Sequence, residues 1–564
     1  MHVVLGINCF SHDTSACLLR GGRIVAFVEE ERFNRERHTK RFPDSAIAFC
    51  LRQAGIGLDQ VDLVAFAHRP GLDLARGAMD ALRRGSPKRL AVQAAVDANL
   101  TRKELAFRRR WGYRGRIAHV GHHDAHAASA FFASPFDEAA VLTLDRGGDF
   151  LSTTLQHGRG SSLRQLVGVR NPDSLGEVYS ALTWYLGFLP NADEGKVMGL
   201  APYGRDKLVG ELADLVRRTP DGLFRVNLEW FAYQRQGGWL SRRFVERYGP
   251  PRVSESEITE RHEDIAHALQ DVIEETALHV ARSLRARTGS RNLCLAGGVA
   301  LNSVMNTRLL REAGFEEIFI QPAASDAGNA LGAALWLWHQ RLGRPREEPM
   351  RHAFWGPEFP ASACEEAVSS RGLAARKVGD APAEAARLLT ESMIVGWYQG
   401  RSEVGPRALG ARSILADPRQ PEMKDIVNSR VKRREAFRPF APSVLHERGP
   451  EWFGGYYPNE FMLLVLPVRR DRQAAIPSVT HVDGSARPQT VTPELNPAFH
   501  RLISEFERRT GVPVVLNTSF NLRGEPIVLR PAEAVETFLR SDLDALFLGD
   551  LLVEKAPADQ PDFG

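Results

Sequence analysis

Short apolar runs broken by polar or glycine turns make the first thirty residues read as strands. Val3–Asn8 is an apolar run, Thr14–Leu19 follows, and Ile24–Val28 comes after Gly21-Gly22. A Gly-Gly pair between two β-rich runs is a hairpin turn signal. The loop between the first two strands, Cys9-Phe10-Ser11-His12-Asp13, is short and polar. The same pattern returns at Ala139. Val141–Leu144 is apolar, Asp145-Arg146-Gly147-Gly148-Asp149 is a polar loop, and Ser152–Gln156 and Leu163–Val169 are β-prone. Strand, polar loop, strand, turn, strand thus occurs twice, an internal repeat. Two copies facing each other predict a two-lobed nucleotide-binding architecture with both loops converging on phosphates.

Helical periodicity follows. Ile265, Ala266, Leu269, Val272, Ile273, Val280 and Leu284 share one face, and Gly289 ends the pattern. Asn292–Ala296 then predicts a buried strand, Gly297-Gly298 a tight turn, and Ala300–Ala313 and Ala327–Leu342 two helices. Residues 343–360 are rich in Pro, Gly and charge, which predicts a linker between a domain at 1–350 and a second at 351–564. Beyond the linker, 395–445 is dense in Arg, 474–495 reads as an irregular loop region, and 514–529 as a strand and its return.

At 564 residues the chain is too long for one core. With 43% hydrophobic and 25% charged residues it is not a disordered chain or a coiled coil. Its apolar runs are far shorter than a membrane span, and the opening residues Met1–Gly6 lack a basic region followed by an apolar one, so secretion is not expected. The net charge of +4 gives no reason to expect nucleic acid or a membrane surface as partner. The five Cys include no C-x-x-C pair, which argues against a disulfide framework and a Cys-based zinc site. A reduced, cytoplasmic enzyme is the expectation. Residues 80–116 carry eleven basic side chains against Asp80, Asp97 and Glu104, either a solvated helical face or the rim of a site for an anion.

Candidate chemistry starts at His122-His123-Asp124-Ala125-His126. On a helix His122 and His126 lie one turn apart on one face, the spacing two imidazoles need to share a metal, though such pairs are more often capping or surface histidines. Asp145 sits at the end of the second repeat's first strand, beside Gly147 and Gly148. Asp326, just before a helix, is either a fourth ligand or a helix N-cap. Two His and two Asp make a mixed N/O set that suits Fe, Mn or Zn with open positions. Leu293–Gly298 ahead of a helix offers backbone N–H groups to phosphate or ribose, and the glycine-lined start at Asp326–Gly332 is a second such turn. In the second half, Arg407, Arg412, Lys432, Arg433, Arg434 and Arg438 lie near Gly and Pro residues that fix loops. Guanidinium groups grip phosphates bidentately, and a plain Arg-rich surface is the alternative. Asn517-Thr518-Ser519-Phe520-Asn521 places amides and hydroxyls at a strand end, suited to a phosphate or carbonyl ligand or to an ordinary turn.

Eight motifs occur in order. They are Ser11-His12-Asp13-Thr14-Ser15, Gly121-His122-His123-Asp124-Ala125-His126, Gly195-Lys196-Val197-Met198-Gly199-Leu200-Ala201, Gly297-Gly298-Val299-Ala300-Leu301-Asn302, Gly405-Pro406-Arg407-Ala408-Leu409-Gly410, Phe437-Arg438-Pro439-Phe440-Ala441-Pro442, Thr480-His481-Val482-Asp483-Gly484 and Leu516-Asn517-Thr518-Ser519-Phe520-Asn521. Together they resemble the O-carbamoyltransferases of the nodulation and antibiotic-tailoring type over nearly the whole chain. The resemblance implies an α/β protein of two domains. The first is similar to the threonylcarbamoyl-adenosine transferase, a two-lobed member of the actin/Hsp70/sugar-kinase superfamily, and the second to YrdC. It implies that the YrdC-like domain makes carbamoyl-adenylate from carbamoyl phosphate and ATP. The first domain would then pass the carbamoyl group to a hydroxyl of a small-molecule natural product, such as an antibiotic. By the same resemblance His122, His126, Asp145 and Asp326 hold iron, Fe(2+), with Mg(2+) accompanying ATP, and His12 is the general base. Gly297, Gly298 and Asn302 would contact nucleotide, and Arg407, Lys432, Arg438, Arg487 and Ser519 would grip carbamoyl phosphate and ATP. Acceptor contacts are expected in loops 68–116 and 220–260. The competing expectations are an ATP-dependent kinase or ATPase on the same fold, and a tRNA-modification component, which the near-neutral charge disfavours.

Overall fold

The computed structural model describes residues 2–9, 12–69, 87–233 and 238–555, with the side chains of 87–97 and 100 outside that description. The chain divides into two compact units. One holds residues 1–31 and 38–350, the other 32–37 and 351–564. The short segment 32–37 belongs to the second unit although strands of the first precede it: Arg32 donates to the Gly405 carbonyl, and Arg35 to those of Pro526 and Ile527. No periodicity marks such an excursion.

The first unit is built on two five-stranded sheets. The first comprises β1 (Val3–Asn8), β2 (Ser15–Arg20), β3 (Arg23–Glu29), β4 (Leu63–Phe66) and β5 (Arg116–His119), in the order β3-β2-β1-β4-β5. β6 (Glu138–Gly148), β7 (Leu151–Arg159) and β8 (Ser162–Arg170) open the second. After a two-stranded ribbon of β9 (Val216–Arg218) and β10 (Phe224–Val226), β11 (Asn292–Ala296) and β12 (Glu317–Ile320) complete it in the order β8-β7-β6-β11-β12. In both sheets three antiparallel strands in a row are followed by two parallel ones. The repeat read from the sequence is therefore a repeat of topology, a duplicated α/β architecture. Parallel strands need helical crossovers, and the 29-residue helix Glu260–Thr288 supplies the one ahead of β11. Its buried face holds Ile265, Leu269, Val272, Ile273, Val280 and Leu284, and Gly289 ends it in a left-handed turn.

The predicted helix at Ala300–Ala313 starts later than expected. Gly298–Leu301 is a 3-10 turn, and the α-helix runs Ser303–Glu312 because the Asn302 side chain caps it by accepting from Met305 N at 3.0 Å. Ala327–Leu342 is likewise composite, with a 3-10 turn at Asp326–Gly328, an α-helix at Asn329–Trp336 and a π-turn at Leu337–Arg341.

The second unit is an α/β unit on an eight-stranded mixed sheet. Its strands are β13 (Arg376–Lys377), β14 (Val395–Tyr398), β15 (Arg412–Ala416), β16 (Ala441–Leu445), β19 (Gln489–Val491), β20 (Val514–Ser519), β21 (Ala545–Leu548) and β22 (Leu551–Glu554), with a separate ribbon of β17 (Leu466–Pro467) and β18 (Ser485–Ala486). The order in the main sheet is β13-β22-β21-β14-β15-β20-β16-β19. Trp397, Phe499, Phe506, Phe520 and Phe547 fill the core. All five cysteines are free and buried. No helix among the described residues is long and apolar enough to cross a membrane.

Candidate functional site

The metal-like pattern of the sequence closes in space. Helix His122–Phe131 presents His122 and His126 on one face, Asp145 projects from β6, and Asp326 from the turn after β12. One ligand atom from each lies within 4.8 Å of all the others, and all four residues are buried. His122 Nε2 is 3.2 Å from Asp145 Oδ2 and 3.5 Å from Asp326 Oδ1. His126 Nε2 is 3.2 Å from His122 Nε2 and 3.4 Å from Asp326 Oδ1. Two imidazole nitrogens facing each other across two carboxylates form a centre rich in lone pairs and short of protons. That donor set fits a borderline divalent metal.

The surroundings hold the four side chains in place. Gly298 N donates to Asp145 Oδ1 at 2.9 Å, and Gly147 N to Oδ2 at 3.2 Å. Gly297 reaches this turn with φ 94°, where a side chain would be strained. A Cβ at Gly148 would lie 2.3 Å from the His122 ring, so only glycine leaves room for that imidazole. Asp149 Oδ2 accepts from His122 N at 2.6 Å and caps the helix. His123 serves the scaffold instead: its ring nitrogens lie 2.8 Å from Thr143 Oγ1 and 3.0 Å from the Leu151 carbonyl. Burial, with the charge of His122, pushes it down to about 3. Asn329 is a neighbour that pattern reading missed, its Nδ2 3.2 Å from His126 Nε2. The signal was present, three residues beyond Asp326.

Electrostatics fit a cation. Burial opposes protonation of His122, but Asp326, Asp145 and Asp149 outweigh it and raise the group to about 9. Burial also opposes ionisation of Asp145, yet the His122 hydrogen bond and nearby imidazole charge hold the carboxyl well below its usual range. In the metal-free chain, raised His122 contributes stability that is complete below its unfolded value near 6.5 and is lost as pH rises through about 9. Thermal unfolding in chelator is therefore expected to show a midpoint that falls across that window, with Zn(II) or Co(II) removing the fall. A midpoint that is flat with pH in chelator contradicts this assignment.

His12 approaches the same charges. Its side chain keeps 28% of its surface exposed, and Nδ1 lies 3.3 Å from Asp13 Oδ2. Burial lowers it, and Asp13, Asp326 and Asp145 override burial to reach about 9. Phe10 and Ser11 of the same loop lie outside the described residues. So do residues 70–86, including the start of the basic stretch, and 234–237, both parts of the expected acceptor loops.

The nucleotide candidates of this unit are occupied by the scaffold. Gly298 N serves Asp145. Asn302 caps its helix, and its Nδ2 donates to Gln270 Oε1 at 3.0 Å.

In the second unit, Arg407, Lys432, Arg434, Arg438 and Arg487 converge. Burial and the Arg438 charge push Arg407 down to about 10. Burial and the charges of Arg407, Arg434 and Arg438 push Arg487 well below its ordinary value. Arg407 Nε and Arg487 Nη1 are buried and have no hydrogen-bond partner among the described residues. Arg438 pairs with Glu435 at 3.7 Å. Lys432, expected to grip carbamoyl phosphate and ATP, is engaged with the Ser519 loop. Its ammonium lies 2.8 Å from the Ser519 carbonyl, 2.8 Å from the Asn521 carbonyl and 2.8 Å from Asn521 Oδ1, so it builds the loop that carries Ser519. Arg412 and Arg433 stand apart from the cluster. Arg412 is fully buried, donates to the Gln399 and Gly400 carbonyls and stacks 3.6 Å over Tyr398, and Arg433 is exposed. Glu403 went unnoticed in the sequence. Its Oε1 accepts from Leu409, Ala411 and Arg412 N at 2.8, 2.8 and 3.1 Å and pins the turn that carries Arg407.

A duplicated α/β unit with a metal-competent centre, joined in sequence to an α/β unit with a cationic one, defines the class. Residues 3–335 match the family model described as Carbamoyltransferase N-terminus, and 386–555 match Carbamoyltransferase C-terminus. The chain belongs to this carbamoyltransferase family and is an enzyme of that activity. It is 41% identical to Uncharacterized protein sll1178 of Synechocystis sp., over 99% of this chain and 97% of that one. It is also 41% identical to Nodulation protein NolNO of Sinorhizobium fredii, over 99% of this chain and 81% of that one. Among solved structures, component A of the (R)-2-hydroxyglutaryl-CoA dehydratase of Acidaminococcus fermentans aligns with 61% of this chain and 100% of its own, at 15% identity and a TM-score of 0.31.

Proposed function

We propose that the enzyme is an ATP-dependent O-carbamoyltransferase that works in two half-reactions. The second unit forms carbamoyl-adenylate from carbamoyl phosphate, water and ATP, with Mg(2+): water releases phosphate from carbamoyl phosphate, and the carbamate oxygen bonds to the α-phosphorus of ATP as pyrophosphate leaves. The first unit passes the carbamoyl group to a hydroxyl of a small-molecule natural product. The observation that carries the reading is the cationic cluster of the second unit. Two half-buried guanidinium groups, each with a buried nitrogen that has no hydrogen-bond partner among the described residues, raise the energy of the empty site, and a phosphate-bearing ligand offsets that cost. Arg407, Arg487 and Arg438 grip phosphate oxygens, while Lys432 shapes the Ser519 loop.

In the first unit His122, His126, Asp145 and Asp326 hold a divalent metal, with iron the choice the resemblance implies. Bound there, the metal supplies a Lewis acid for a carbonyl oxygen. His12 takes the proton of the acceptor hydroxyl, which is a poor nucleophile while protonated at neutral pH. Gly298 and Asp149 keep the ligands in place through Asp145 and the backbone of His122.

The test is product analysis. Incubation with ATP, carbamoyl phosphate and a panel of hydroxylated natural products is expected to yield AMP, pyrophosphate and an acceptor heavier by one carbamoyl group. ADP as the nucleotide product favours a kinase or ATPase instead.

A further inference from the structure

Asp13 lies between two histidines that come from different loops. His12 precedes it on the β1–β2 connection, and His38 arrives from the loop beyond β3. His38 Nδ1 is 2.7 Å from Asp13 Oδ1, and His12 Nδ1 is 3.3 Å from Asp13 Oδ2. One carboxylate thus faces both imidazoles through separate oxygens. The His12 and His38 rings meet edge to face at 6.2 Å.

The backbone is held in an uncommon shape to make this arrangement. Asp13 has φ 53° and His38 φ 55°, left-handed values that persist in non-glycine residues only where surrounding contacts fix them. Those contacts are present. Asn8 Nδ2 donates to the Asp13 carbonyl at 3.1 Å, and His38 N donates to Glu31 Oε2 at 2.8 Å. Asp13 is 8% exposed.

Resting on the reading of His12 as the base, we infer that Asp13 and His38 are positioning residues that fix its tautomer. A carboxylate opposite Nδ1 favours a proton on Nδ1, since a lone pair there would face negative charge. His12 then keeps a bare Nε2. His12 Nδ1 meets Asp13 Oδ2 as a charge contact at 3.3 Å, whereas His38 Nδ1 hydrogen-bonds Oδ1 at 2.7 Å and stops the carboxylate from rotating away. The Nε2 of His38 is buried and has no hydrogen-bond partner among the described residues, which is compatible with the same tautomer. In the transfer step the acceptor O–H proton moves to His12 Nε2, and the acceptor oxygen forms a bond to the carbamoyl carbon. The bond from that carbon to the phosphate oxygen of carbamoyl-adenylate breaks, and AMP leaves with the electron pair.

The deciding measurement needs no acceptor. Nitrogen NMR of the metal-free chain labelled with ¹⁵N-histidine reports which ring nitrogen carries the proton. Wild-type neutral His12 is expected as the Nδ1–H form. Asp13→Asn is expected to move it towards the Nε2–H form that free imidazole side chains favour. His38→Leu is expected to move it part of the way, and His38→Asn, which keeps a donor near the same place, to restore it. Far-UV spectra and unfolding midpoints confirm that each variant is folded. An Nδ1–H population unchanged in folded Asp13→Asn overturns the inference. So does Co(II) held by His12, Asp13 and His38 in a His122→Ala/His126→Ala chain, because those atoms would then form a cation site. The reading of His12 as base fails separately, if His12→Ala transfers at the wild-type rate.

Discussion

Replacing His12 by alanine is expected to lower carbamoyl transfer by roughly 10²–10⁴-fold, the usual contribution of a positioned general base. Pyrophosphate release from ATP and carbamoyl phosphate should remain detectable. His12 belongs to the first unit and the cationic cluster to the second, so the substitution separates the half-reactions. The assay compares pyrophosphate release without acceptor and carbamoylated product with acceptor, under single turnover. Only neutral His12 accepts a proton. With Asp13, Asp326 and Asp145 raising it to about 9 in the metal-free chain, transfer is expected to increase with pH towards that value. A cation that neutralises Asp326 and Asp145 moves the rise to lower pH. Loss of pyrophosphate release in His12→Ala, with transfer from preformed adenylate intact, reverses the assignment of the half-reactions.

The first unit was legible because repetition and periodicity survive in one dimension. Two strand–loop–strand patterns became two sheets of one topology, and the His122/His126 spacing became one helix face. Asp145 and Asp326 stood out beside glycines because close backbone approach demands them. The roles of Gly298 and Asn302 were not legible. A Gly-Gly turn before a helix is the same string whether its N–H groups face a phosphate or a carboxylate, and here Gly298 N serves Asp145. His38 carries no motif at all. Its role exists only because two loops bring Asp13 and His38 together, a contact across 25 positions of the chain. In the second unit a single acid within an Arg-rich stretch gave no hint that Glu403 pins the Arg407 turn. Likewise, an Arg count cannot separate Arg407, which faces the charge of Arg438, from Arg412, whose Nη1 and Nη2 donate to the Gln399 and Gly400 carbonyls.

That distinction leads to an effect of opposite signs. Arg407→Met and Arg487→Met are each expected to stabilise the ligand-free enzyme while abolishing pyrophosphate formation. A cation whose folded value lies below its unfolded one destabilises the fold at every pH below the folded value. For Arg407 the fall from 12.5 to about 10 corresponds to about 3 kcal/mol at most, part of which a methionine recovers while keeping the apolar stem packed. Wild type pays this cost when empty and regains it on binding an anion. Pyrophosphate at 100 times its dissociation constant adds about 2.7 kcal/mol to wild-type stability by mass action alone. Denaturant titrations with and without pyrophosphate therefore give a crossed pattern. The variants unfold at higher denaturant when empty and respond weakly to the ligand, whereas wild type starts lower and gains most. A variant that is less stable when empty, yet still responds fully to pyrophosphate, would show that its guanidinium supports the fold and does not grip phosphate.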